Sequence, residues 1–201
     1  MASPIADVKK TAVLSMDLQN TIVSIYTRTE PDFLTRVSKL LSSARESGIR
    51  VMHVLVGFRP GFPEIDLRNP LFGAIKSSPQ WQQIFQGDAG AIHADVAPQD
   101  GEVVITKHRI SAFTGTDLEM ILRANEIDTL ILLGIATSGV VLSTLLHASD
   151  ADFKLMVVKD CCADQDLEMH TCLVEKLFPQ RAKVLSADEV LKSLQPPSPE
   201  S

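Results

Sequence analysis

Residues 129–144 read TLILLGIATSGVVLST, and the reading of this stretch decides the fold. Thr129–Leu133 is a short apolar run of the kind buried on both faces of a parallel sheet. Gly134 breaks it, a small-residue turn follows, and Ser138–Ala148 resumes at helical spacing. Strand, glycine turn and helix in succession are half of a βαβ unit. Working outward, the pattern recurs on both sides. Upstream, Thr11–Met16 (TAVLSM), Arg50–Val56 (RVMHVLV) and Glu102–Thr106 (EVVIT) read as strands. Downstream, Lys154–Val158 and Ala182–Leu185 read likewise. Helices are predicted over Asp32–Glu46, which Gly48 ends, over Thr116–Glu126, Leu167–Leu177 and Asp188–Leu194. In the Thr116 helix, Thr116 is the expected N-cap and Glu119 the capping-box partner. Gly57–Pro79, rich in Gly and Pro, is a long excursion of the kind that builds or covers a site. Alternation of this kind predicts an α/β protein with three α-β-α layers around a parallel sheet of six strands.

Composition narrows the function. The chain has 201 residues, 45% hydrophobic and 22% charged, which fits one globular domain over 1–201, with a core at 11–194 and a Pro/Ser-rich tail at 195–201. Net charge is −6 and no Lys/Arg-rich run occurs, which argues against nucleic acid as a partner. No apolar stretch approaches the roughly 20 residues of a membrane span. Met1–Lys10 lacks the apolar core of a signal peptide, and three cysteines make no disulfide framework, so a cytoplasmic setting is expected. Cys161, Cys162 and Cys172 read as structural, as small buried hydrophobes.

Ligands in open α/β sheets bind at the carboxyl ends of strands. Four strand ends carry suggestive groups: Asp17, Lys107, the Gly134–Gly139 turn and Asp160. Taken singly, an Asp there is often a turn former and a Lys a solvated end.

The local sequences at these ends resemble one family. Ala12–Asn20 (AVLSMDLQN), Val104–Leu122 (VITKHRISAFTGTDLEMIL), Leu132–Thr144 (LLGIATSGVVLST) and Val157–Asp164 (VVKDCCAD) are similar, in order, to segments of the isochorismatase-like hydrolases. Many members of that family carry a catalytic Asp, Lys and Cys. Asp17 and Lys107 fall on the first two positions. The third, six residues after the first glycine of the turn, is Val140. The resemblance also implies a non-proline cis peptide between Ile135 and Ala136, with backbone N–H groups of the helix start turned toward the pocket.

Without a thiol the thioester route to amide hydrolysis is closed. Ser138, Ser143 and Thr144 are nearby hydroxyls but have no recognisable histidine base beside them. Enol-ether hydrolysis needs no protein nucleophile, only a general acid and electrostatic control. The branch that cleaves isochorismate to 2,3-dihydroxy-2,3-dihydrobenzoate and pyruvate is similar in having Asp and Lys without the cysteine. Asp17 is then the expected proton donor and Lys107 the group that orients a substrate carboxylate. A direct Asp17–Lys107 pair would lower the Asp17 pKa and oppose the acid role. Candidate substrate contacts are Gln19, Arg59, Arg68, Phe113, Ile135, Ala136, Thr137, Ser138 and Gly139. The arginines suit carboxylates; Phe33, Phe58 and Trp81 are further candidates for an apolar wall. Of the five histidines only His108 stands beside the lysine, and none has metal-ligand spacing, so neither metal nor cofactor is expected.

The expected partner is a small anionic substrate. The resemblance implies a homo-oligomer, dimer or tetramer, built through helices near the glycine turn. Three functions remain open: an isochorismatase-type hydrolase, a hydrolase of another small acid or amide by a non-cysteine route, and a non-catalytic binding protein.

Overall fold

The structure is a computed structural model that describes residue 5 and residues 7–194. The tail expected at 195–201 lies outside them. One sheet of six parallel strands forms the middle layer: β1 (Thr11–Met16), β2 (Arg50–Val56), β3 (Val103–Lys107), β4 (Thr129–Ile135), β5 (Lys154–Ala163) and β6 (Lys183–Leu185), in the order β3-β2-β1-β4-β5-β6. The order reverses between β1 and β4, the point at which such sheets open a crevice at their carboxyl ends.

Strand alternation divides the core. Ala12, Leu14 and Met16 of β1 face one layer with Leu130 and Leu132 of β4; Val13, Ile131, Leu133 and Ile135 face the other. Every residue of β1 is buried, whereas the edge strands β3 and β6 are partly exposed. The first layer is covered by α5 (Leu118–Ala124), α6 (Leu142–Asp150) and the segment after α7 (Leu167–Cys172). The second is covered by α1 (Asn20–Tyr26), α2 (Phe33–Glu46) and α8 (Ala187–Leu194). Helix α2 buries Phe33, Val37, Leu40, Leu41 and Ala44, the stripe that its spacing predicts. It stops at Gly48, whose φ of 78° lets the Ile49 N–H reach back to the Ala44 carbonyl at 2.9 Å. Among the described residues no helix is long and apolar enough to cross a membrane.

Several boundaries differ from the sequence reading. β4 runs on through Gly134 to Ile135, because Gly134 at φ 140° keeps pairing with Met16. β5 extends to Ala163, so Asp160 is inside a strand and not at its end. The helix expected from Ser138 begins at Leu142, after a wide π-type turn over Thr137–Val141. Leu167–Leu177 likewise divides, with α7 ending at Cys172. α5 starts at Leu118: Thr116 Oγ1 accepts from the Leu118 N–H, and Glu119 turns outward to Arg123 instead of closing a capping box. The Gly57–Pro79 excursion contains α3 (Pro70–Ser77) and leads into α4 (Pro79–Gln83).

Candidate active site

The carboxyl ends of β1, β3 and β4 converge on one cavity of about 240 Å³, lined by Asp17, Lys107, Ile135, Ala136, Gly139 and Val140 among others. Drug-sized sites hold about 300–1,000 Å³, so this one fits a small molecule.

Two backbone features bring these groups together. Asp17 follows β1 at φ 55°, a left-handed conformation that Asp tolerates better than most residues, while its N–H still donates to Val54 at 2.8 Å. Opposite it, a Cβ on Gly134 would lie 2.1 Å from the Met16 carbonyl oxygen. Only glycine lets the end of β4 approach β1 so closely, and the turn is thereby held beside Asp17. The peptide bond between Ile135 and Ala136 is cis, as the family resemblance implies.

Asp17 and Lys107 are both buried, and Lys107 Nζ donates to Asp17 Oδ2 at 2.8 Å. A second donor of the ammonium goes to the Arg109 carbonyl at 3.1 Å, which leaves the third for the pocket. Asp17 Oδ1 is buried and accepts no hydrogen bond of good geometry among the described residues, with the Val56 backbone only weakly favouring the charged carboxylate. Burial pushes the Asp17 carboxyl above its ordinary value and outweighs the opposing pull of Lys107. The direct pair therefore exists, and burial still leaves the carboxyl's pKa raised.

Val140 faces the same cavity and is 2% exposed. Among the described residues the cavity lining contains no cysteine. Cys161 and Cys162 are buried outside the pocket lining, and burial raises both thiols, Cys162 to about 12. Cys172 is exposed, contrary to the expectation of burial for all three.

Six of the anticipated substrate contacts lie outside the cavity lining. Arg59 is held by Glu64 at 2.7 Å and Arg68 by Asp66 at 2.6 Å, both on exposed loop surface where local acids neutralise them. Gln19 is fully buried and spends its amide on the Val56 backbone and the Gly90 carbonyl, tying β2 to the loop beneath α1. Phe113 stacks on His147 with centroids 4.6 Å apart, inside the core. Thr137 hydrogen-bonds His170 at 2.8 Å. Ser138 gives both its N–H and its hydroxyl to Asp164 at 2.7 Å, so Asp164 fills the anion position at the turn that the backbone was expected to offer a substrate. Gly139 and Val141 donate to the Ala136 carbonyl. Asp160 accepts from the Ala187 N–H at 2.7 Å and lies near Arg36, joining α8 and α2 to β5. His108 contacts the Gly57 carbonyl and stands outside this cavity. Phe33 is core, and Phe58 packs with Phe62, Phe72 and Phe85.

The remaining wall is apolar. Helix α1 contributes Ile22, Ile25 and Tyr26; the excursion contributes Leu71, Ile75, Trp81 and Phe85. Trp81 was a candidate by residue type. The α1 residues were not anticipated, although Ile22, Ile25 and Tyr26 stand at i, i+3 and i+4, a helical signal that seven residues make weak.

A buried carboxyl–ammonium pair at the switch point of a doubly wound sheet, facing a small, mostly apolar cavity, defines the class: an α/β protein with a ligand-sized pocket at the carboxyl edge of its sheet. A family model, the Isochorismatase domain, matches residues 11–189, and the chain belongs to the isochorismatase family of hydrolases. It is 31% identical over 188 residues to the uncharacterized isochorismatase family protein YecD of Escherichia coli O157:H7, covering 92% of this chain and 97% of that one. It is 28% identical over 160 residues to a maleamate amidohydrolase of Pseudomonas putida, covering 77% and 71%. An isochorismatase family protein from Burkholderia thailandensis has the same fold, with a TM-score of 0.78 at 27% identity over 92% of this chain and 96% of that one.

Proposed function

We propose that the chain is a thiol-independent hydrolase that cleaves the enol ether of a small enolpyruvyl-bearing acid, the chemistry that converts isochorismate to 2,3-dihydroxy-2,3-dihydrobenzoate and pyruvate. The observation that supports this reading is the buried Asp17 Oδ1 beside a cavity whose lining among the described residues, Val140 included, contains no cysteine. Amide hydrolysis through a thioester requires a sulfur that this wall lacks.

The steps follow from the geometry. Protonated Asp17 delivers its proton to the terminal carbon of the enol ether; the C=C electron pair forms the new C–H bond and leaves an oxocarbenium ion. Water adds to that carbon. The hemiketal then collapses, its C–O bond breaks toward the leaving alcohol, and ketone and alcohol are released. The proton lost by water returns Asp17 to its acid form. Lys107, anchored to Oδ2, offers its third donor to a substrate carboxylate and keeps the reacting carbon over Oδ1. A buried proton donor of raised pKa is what this slow step requires.

Pyruvate release from enol ethers of pyruvate, isochorismate and the monoanionic 2-(benzyloxy)acrylate among them, coupled to lactate dehydrogenase, tests the reaction. Turnover with a normal solvent isotope effect is expected, since a proton moves in the slow step. Unimpaired turnover by Asp17→Asn, or no turnover on any enol ether, would overturn it.

The same proposal includes a homo-oligomer. Leu146 on α6 and Leu167 and Met169 on α7 are exposed apolar residues on the helices nearest the turn, which supports assembly there. Sedimentation at micromolar concentration should give more than one protomer; a monomer would remove this part. A cytoplasmic setting is carried in the same way, and fractionation of cells producing the full chain tests it.

A further inference from the structure

The charge inventory of the cavity is short. Among the described residues its lining contains one acid, Asp17, and one base, Lys107. With Asp17 protonated the lining carries a single positive charge. Nearby cations are engaged elsewhere. Arg59 and Arg68 are paired with Glu64 and Asp66. Lys76 donates to the Phe62 and Ile65 carbonyls. Arg109 lies over the outer side of the Phe72 wall, 5.6 Å from the ring centroid, with its guanidinium on the His108 and Glu64 carbonyls. Three backbone donors of the turn are spent as well, Ser138 on Asp164 and Gly139 and Val141 on Ala136. Asp164 adds a second acid at this edge; burial first, and then Asp164, hold the Tyr26 phenol above its ordinary value.

Against one cation stand Ile22, Ile25, Leu71, Ile75, Trp81 and Phe85. A second carboxylate entering such a wall loses its water and meets no second cation, only the Tyr26 phenol and Trp81 indole as further side-chain donors, which is unfavourable. We infer that the pocket selects small substrates with at most one carboxylate and an apolar aryl or alicyclic body, and discriminates against dianions such as isochorismate. The inference rests on Asp17 and Lys107 being the reacting pair, and it assigns substrate choice to the wall formed by α1 and the α3–α4 segment. Leu71 and Trp81, each 54% exposed at the cavity, are its adjustable part.

Binding and turnover separate the claims. Trp81 is the only tryptophan in the chain, so its fluorescence reports ligands in this cavity directly. Benzoate should bind at least about tenfold more tightly than isophthalate, which differs by one added carboxylate. In turnover, 2-(benzyloxy)acrylate, a monoanionic enol ether that also releases pyruvate, should exceed isochorismate in kcat/KM by at least about tenfold. Leu71→Arg, which adds a cation at an exposed lining position, should shift the isophthalate-to-benzoate preference toward the dianion by at least about tenfold. Equal or tighter binding of isophthalate by the wild-type protein would overturn the inference whatever the turnover. If no enol ether is hydrolysed while benzoate still outbinds isophthalate, the selectivity stands and the general-acid function fails.

Discussion

Strand β3 carries a charged group at each end, and the two ends are built to opposite specifications. At its start, Glu102 spends both oxygens: Arg45 Nε and Nη2 donate at 2.7 and 2.9 Å, the Gln99 N–H donates at 2.8 Å, and His53 Nε2 lies at 3.0 Å. At its finish, Lys107 meets Asp17, one oxygen of which is left bare and buried. Partners hold the Glu102 carboxyl below its ordinary value, while burial holds that of Asp17 above. Saturating a buried carboxylate with donors makes it a fastener; withholding donors makes it an acid with an oxygen free for a guest.

Substitutions should separate the two ends. Asp17→Asn removes the proton donor, and hydrolysis should fall by at least about 100-fold with the circular dichroism unchanged. Retained activity would reduce Asp17 to a second fastener. Glu102→Gln should leave kcat/KM nearly untouched and lower stability by about 1–3 kcal/mol in urea denaturation, because Arg45 and His53 lose their ionic acceptor. A large loss of activity without loss of stability would erase the contrast.

The pH dependence should take opposite signs. Glu102 has a depressed pKa, so its contribution is present above its ordinary value of 4.5 and is lost as pH falls through the lowered one. His53, also depressed, acts in the same direction, its contribution present above 6.5 and lost on acidification. Asp17 has a raised pKa, so its contribution is full below 3.8 and is lost as pH rises through the raised value. Glu102→Gln should therefore flatten the acid limb of a stability–pH curve, and Asp17→Asn should remove the loss that sets in as pH rises above 3.8; urea midpoints across pH measure both. A smaller effect concerns sulfur. In the native protein iodoacetamide should label Cys172 and spare the buried Cys161 and Cys162, while Val140→Cys adds one labelled site inside the cavity. Intact-mass measurement counts them.

Much of this organisation was legible in the residues. Apolar runs marked the strands, because strands buried on both faces must be continuously apolar, and the motifs around Asp17, Lys107 and Val140 located three strand ends that tertiary structure brings to one cavity. What escaped was pairing across short distances in the loops and packing between distant ones. Arg59 and Arg68 looked like carboxylate ligands, but Glu64 and Asp66, only five and two residues away, engage them first. Gln19 and Phe113 fell inside recognisable motifs and yet serve backbone tethering and core packing. The wall from α1 was illegible because a seven-residue helix presents too few turns to declare its face. Asp160 lost its place at a strand end because β5 runs five residues beyond the predicted stop at Val158.

The protonation state of Asp17 decides between an acid and a fastener most directly. Carbon-13 NMR of the aspartate carboxyls, with the Asp17 resonance assigned by its loss in Asp17→Asn, gives the titration midpoint in the folded protein. A midpoint above 3.8 is expected, since burial exceeds the pull of Lys107; a midpoint at or below 3.8 would mean that Asp17 is an ion-paired carboxylate with no proton to give.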